Sequence, residues 1–159
     1  MQHLLGFNAV FDQISRINLR LPQQYRIYIR SEKVWIGGHE DGSSYLHMER
    51  ISAKALELTQ PLAGGDIDIT VDPQGHGHEV EPGVVTQKMN CVLRGETLSG
   101  LWLRVVVNED HHYLILLAGR APEQYPSLRE AAMEIAATIR SQIPQPKPKK
   151  IQRRVAVEV

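Results

Sequence analysis

Two apolar runs, residues 101–107 and 113–118, are separated only by the polar turn Asn108-Glu109-Asp110. Arg104 is the single charge in the first run, and none interrupts the second. Runs this short and this apolar read as strands covered on both faces. So short a polar connection returns the second strand antiparallel to the first. After Ala121-Pro122, Leu128, Ala132, Ile135, Ile139 and Ile143 recur at helical spacing. Such a stripe has to be buried, and the preceding strands supply the surface. Ser127 and Glu130 have the spacing of a capping box, Pro126 suits a helix entry, and Pro144 ends the segment. The chain therefore closes as strand, turn, strand and covering helix.

The remainder extends the same sheet. Ile14, Ile17, Leu19 and Leu21 mark a first strand that Pro22 ends. In residues 24–30, Tyr25, Ile27 and Ile29 alternate with Arg26, Tyr28 and Arg30, the period of a half-buried strand. Val34-Trp35-Ile36 and Tyr45-Leu46-His47-Met48 flank Asp41-Gly42, a pair that tolerates the positive φ of a hairpin turn. Residues 52–60 suit either a short helix or an alternating strand. Asp66-Ile67-Asp68-Ile69-Thr70-Val71 alternates as a strand, and residues 73–83, rich in Gly, His, Glu and Pro, predict an irregular surface loop. Residues 84–93 and 98–107 are strand-like around the turn Arg94-Gly95-Glu96-Thr97. The expected fold class is α+β: one domain over residues 1–143, with a twisted, mainly antiparallel sheet covered by the C-terminal amphipathic helix, α/β/α-sandwich-like. Residues 144–159 are expected to form a flexible tail rich in Pro, Lys and Arg.

At 159 residues such a domain buries roughly two thirds of its unfolded surface, so neither disulfides nor a structural metal are required. The one cysteine, Cys91, has no partner for an internal disulfide, which fits an intracellular chain. The N-terminus lacks a basic n-region and no stretch has the length of a transmembrane segment, so a cytoplasmic location is expected. Formal charge is zero but uneven, because Lys147, Lys149, Lys150, Arg153 and Arg154 hold five of the 18 basic groups. The remainder is mildly acidic, the reverse of a nucleic-acid-binding body. The tail itself suits phosphate backbones of nucleic acid, an acidic membrane, a linear motif docking on a protein, or a solubilising end.

One further likeness rests on pattern. Residues 101–143 run as apolar strand, polar turn, second apolar strand ending in Ala118-Gly119-Arg120-Ala121-Pro122-Glu123, linker and terminal helix. Ile17-Asn18-Leu19-Arg20-Leu21-Pro22-Gln23-Gln24-Tyr25 reads as strand, proline and next strand. This order resembles the Mog1/PsbP-like superfamily, in which helices cover a twisted antiparallel sheet. The resemblance covers about half the chain, and residues 52–83 depart from it. It implies a binding or assembly role, since members mostly act as adaptors or accessory subunits.

No strong catalytic motif is present. His76-Gly77-His78-Glu79-Val80-Glu81 concentrates imidazoles and carboxylates, and His76, His78 and Glu81 suit a divalent transition metal such as zinc, copper or nickel. The spacing resembles the His-x-His opening of cupin metal sites, but the downstream glutamate and second histidine motif do not follow. The competing reading is a solvated Gly-rich loop. His111-His112 at a hairpin tip would point to opposite faces and so not share a metal. Ser43 or Ser44 with His39 or His47 and Asp41 has the residue types of a hydrolytic triad but no nucleophile elbow. Cys91 reads as a packing residue, and the glycine pairs lack the helix start and Lys-Ser/Thr of a phosphate loop. The reading carried forward is a non-enzymatic protein-binding or accessory domain that engages a protein partner through a sheet face near Tyr25, Tyr28, Arg30 and Trp35, and through the basic tail. Homo-oligomerisation is left open. The alternative is a metal-binding protein or metal-dependent enzyme at His76, His78 and Glu81.

Overall fold

The computed structural model describes residues 6–53 and 69–144. The fold is α+β. Its strands are β1 (Ala9–Asp12), β2 (Ile17–Arg20), β3 (Tyr25–Arg30), β4 (Val34–His39), β5 (Ser44–Ser52), β6 (Ile69–Glu81), β7 (Val84–Leu93), β8 (Glu96–Val106) and β9 (His111–Gly119). A 3₁₀ turn at Pro122–Gln124 leads into α1 (Tyr125–Arg140). Strands β3 to β9 form a seven-stranded antiparallel sheet in the order β3-β4-β5-β9-β8-β7-β6, and β1-β2 is a separate hairpin. The two runs that are apolar in sequence, β8 and β9, occupy the centre, as strands buried on both faces must.

The helix packs on β8, β9 and β2. Leu128, Ala131, Ala132, Ile135, Ala136 and Ile139 are its buried face. They meet Leu46, Met48, Leu101, Leu103, Val105, Tyr113, Ile115 and Leu117 from the sheet and Val10, Ile17 and Leu19 from the hairpin. Each fully buried Leu or Ile contributes roughly 1.5–3 kcal/mol. The alternate residues of the same strands, among them Trp102, Leu114, Leu116 and Ala118, form a second cluster with Met89, Cys91 and Leu98 on the opposite face.

Four expectations need correction. The helix starts at Tyr125, ahead of the Ser127 capping box, and ends at Arg140; no side chain caps its start. Instead the Gln124 side chain accepts a hydrogen bond from the Ala121 N–H (2.9 Å) and donates one to Ser43 O (3.1 Å), which fixes the entry. The N-terminal segment holds two strands, with Ile14 exposed in the turn between them. Residues 73–81, expected as loop, continue β6 to Glu81. Pro73 and the glycines are tolerated because β6 is, among the described residues, an edge strand whose outward N–H groups have no ladder partner to lose. A bulge between Gln74 and His78 absorbs the left-handed Gly75. Residues 54–60, like the first half of the predicted 66–71 strand and the tail cations, lie outside the described residues.

The fourth correction is in β3. The register shifts between Ile27 and Ile29, so Tyr28 is an extra residue and the alternation inverts. Ile27 pairs with Gly37 and lies in the core, whereas Ile29 pairs with Ile36 on the opposite face and is exposed. Arg30, paired with Trp35, joins the face that carries the hairpin. Reciprocal backbone bonds between Phe7 and Ile27 (2.9 and 2.7 Å) cover part of this edge.

Candidate functional site

Asp12, at the end of β1, is 2% exposed yet charged, and its partners come from the middle of the sheet. Arg50 of β5 donates to Asp12 Oδ1 through Nη1 (2.5 Å), and the Tyr113 hydroxyl of β9 donates to Oδ2 (2.5 Å). Arg50 Nη1 also approaches Glu32 O (3.3 Å). Burial, reinforced by the Asp12 carboxylate, holds the Tyr113 phenol well above its ordinary pKa, so it stays a donor. Trp35 packs edge-on against the Tyr113 ring, with centroids 6.3 Å apart. The network pins the β1-β2 hairpin to the sheet.

Above this network lies a cleft of about 440 Å³. Val10, Phe11 and Ile14 form one wall, Arg30 and Glu32 the other, and Trp35 the floor. Phe11 and Ile14 are 58% and 54% exposed, an unusual position for large apolar side chains. Arg30 also stands over the Phe7 ring, 4.5 Å from its centroid. Phe7 is exposed beside it, so Phe7, Phe11 and Ile14, three of the seven large exposed apolar residues among those described, gather near Arg30. The β3 bulge shapes this surface by turning Arg30 toward the cleft, and it sends Ile29 to the opposite face.

The opposite face carries a second polar cluster on β5. His47 and Glu49 are 1% and 3% exposed, and His47 Nε2 lies 3.0 Å from Glu49 Oε1. A carboxylate accepts, so Nε2 carries the proton. Tyr45 Oη lies 3.5 Å from His47 Nδ1. Further along this face, Trp102 Nε1, Arg104 Nε and His112 Nδ1 are buried and have no hydrogen-bond partner among the described residues. Burial first, and the nearby Arg104 charge second, push the His112 pKa below its ordinary 6.5. As pH falls from 6.5 the unfolded chain therefore binds this proton first, and stability declines down to the lowered folded value. His112→Gln is expected to flatten that acid limb in urea midpoints measured from pH 7.5 to 5. An unchanged slope would contradict the assignment.

Of the residues expected near a binding face, Arg30 and Tyr28 are exposed, and Trp35 reaches the cleft as its floor while only 3% exposed. Tyr25 points into the core and meets the His39 ring edge-on at 5.2 Å. Lys147, Lys149, Lys150, Arg153 and Arg154 lie outside the described residues. His76 and His78 are exposed on β6 and Glu81 ends it; among the described residues no three His, Cys, Asp or Glu side chains are placed to hold one metal ion. Asp41 accepts from the Ser43 backbone N–H (2.8 Å) and contacts His39 (2.8 Å); the Ser43 side chain first, and this backbone bond second, lower its pKa. These are turn contacts, and among the described residues no hydrogen bond joins the Ser43 hydroxyl to a histidine. Cys91 is buried, its thiol pushed up to about 11 by desolvation. No described helix is long and apolar enough to cross a membrane.

Asp12, Arg50 and Tyr113 escaped the sequence reading because they stand 38 and 101 residues apart. His47 and Glu49 left a faint signal, two titratable residues at alternate positions in a strand. No family model matches the chain, and no curated protein matches it.

Proposed function

We propose that the protein is a binding or accessory domain that docks a protein partner in the cleft between the β1-β2 hairpin and the β3-β4 edge. The observation that carries this reading is the gathering of exposed Phe7, Phe11 and Ile14 around Arg30 at one end of the molecule. Large apolar side chains rimmed by polar ones mark interaction surfaces, and aromatic and arginine residues supply most of the energy there. Asp12, Arg50 and Tyr113 hold the hairpin wall rigid, which lowers the ordering cost of binding. The resemblance to the Mog1/PsbP-like superfamily, whose members mostly act as adaptors, points to the same role.

The double substitution Phe11→Asp and Ile14→Asp tests this, since both side chains are exposed and the fold does not depend on them. The expected result is a partner protein recovered with the natural chain and lost, by tenfold or more, with the variant, at an unchanged unfolding midpoint. Equal recovery with both proteins would refute the reading.

A further inference from the structure

A second concavity lies on the face opposite the helix, between β3-β4-β5 and the β7-β8 turn. Its volume is about 210 Å³. Ile29, Ile36, Leu93 and the Tyr28 ring make its walls apolar, and Tyr45 and Arg94 are its polar groups. No acidic side chain among the described residues lines it. Among the described residues Arg94 enters no ion pair and no side-chain hydrogen bond, and its charge acts on Tyr45. The Tyr45 hydroxyl is 3.5 Å from His47 Nδ1, the outer limit of a hydrogen bond, so turning its proton toward a ligand oxygen gives up little. Behind it, His47 and Glu49 are buried and paired, a costly arrangement that packing alone does not require.

The backbone at Arg94 adds an independent sign. Arg94 and Gly95 form a two-residue turn with φ of 53° and 84°. Hairpin turns of this kind favour Asn, Asp or Gly at the first position. An arginine held there in the left-handed region is strained, and strain of this sort collects at functional positions.

We propose that this pocket binds a small monocarboxylic acid with an apolar body. Its carboxylate would sit on the Arg94 guanidinium, which presents paired donors to such a group, with the Tyr45 hydroxyl as a second donor. Its chain lies against Ile29, Ile36 and Leu93. The pocket is smaller than the roughly 300 Å³ at which drug-sized ligand sites begin, which selects a short chain. The proposal is independent of the protein-docking cleft, which lies on the other face of the sheet.

Sodium hexanoate is the probe, titrated into the full chain and followed by backbone amide shifts in NMR. Saturable shifts are expected at Tyr28, Ile29, Tyr45 and Leu93, with hexan-1-ol and hexylammonium at least tenfold weaker. Arg94→Gly removes the charge and relieves the backbone, so this variant is expected to be at least as stable as the natural chain and to bind hexanoate at least tenfold more weakly. Tyr45→Phe is expected to weaken binding about threefold. The proposal is overturned if hexanoate produces no saturable shifts at these residues, if hexanol or hexylammonium binds equally well, or if folded Arg94→Gly binds hexanoate as the natural chain does.

Discussion

Asp12→Ala is expected to lower the unfolding free energy by about 3–5 kcal/mol, the cost of removing one member of a buried charge pair. The carboxylate is the shared acceptor for Arg50 and Tyr113, so its loss strands a guanidinium that is 8% exposed and a phenol that is fully buried. The cost follows from the orphaned charge rather than from the attraction lost. A variant with Asp12→Leu, Arg50→Met and Tyr113→Phe, which leaves no polar group behind, is therefore expected to recover most of the stability. Urea denaturation of the two variants checks both statements. An alanine variant within 1 kcal/mol of the natural chain, on the order of an exposed pair, would show that the network does not hold the hairpin. Because the hairpin is one wall of the cleft, the same variant is expected to lose partner binding along with stability.

Gly37→Ala is expected to be worse still, with a loss above about 4 kcal/mol and no folded protein at ordinary yields. A Cβ at Gly37 would sit 1.8 Å from Arg26 O and 2.9 Å from Ile27 Cα, and one at Gly100 would sit 1.9 Å from Leu117 O. These are backbone atoms of adjacent strands, and no rotamer change moves them aside. Gly42→Ala supplies the contrast. It meets no atom within 4 Å and faces only its φ of 81°, a penalty of roughly 1–2 kcal/mol. Circular dichroism and urea midpoints of the two alanine variants separate the cases. A well-folded Gly37→Ala protein would mean that β3 and β4 can part at this point without cost.

These predictions rest on features that were unequally visible in the chain itself. Strands β8 and β9 and the helix could be read because their burial depends on local periodicity, and they form the centre of the observed sheet. The β3 bulge could not, since Tyr25-Arg26-Ile27-Tyr28-Ile29-Arg30 alternates without a break. Only the pairing with β4 reveals the extra residue, and with it the exposure of Ile29. Residues 73–81 of β6 read as loop because Pro73, Gly75 and Gly77 are poor strand formers, a penalty that an edge position largely removes. Arg30 was picked out as an interface residue on composition; its setting between Phe7 and the cleft depends on contacts far apart in sequence. Asp12 and Ile14 gave no sign of lining a site.

The cleft's role can be measured most directly by placing a photo-reactive cross-linking residue at position 11 or 14 and comparing it with one at Glu134, exposed on the helix. The account predicts that one and the same protein is cross-linked from positions 11 and 14, is absent from position 134, and disappears when Arg30→Glu is added. Cross-linking from position 134 that matches positions 11 and 14, or that persists unchanged with Arg30→Glu, would contradict it.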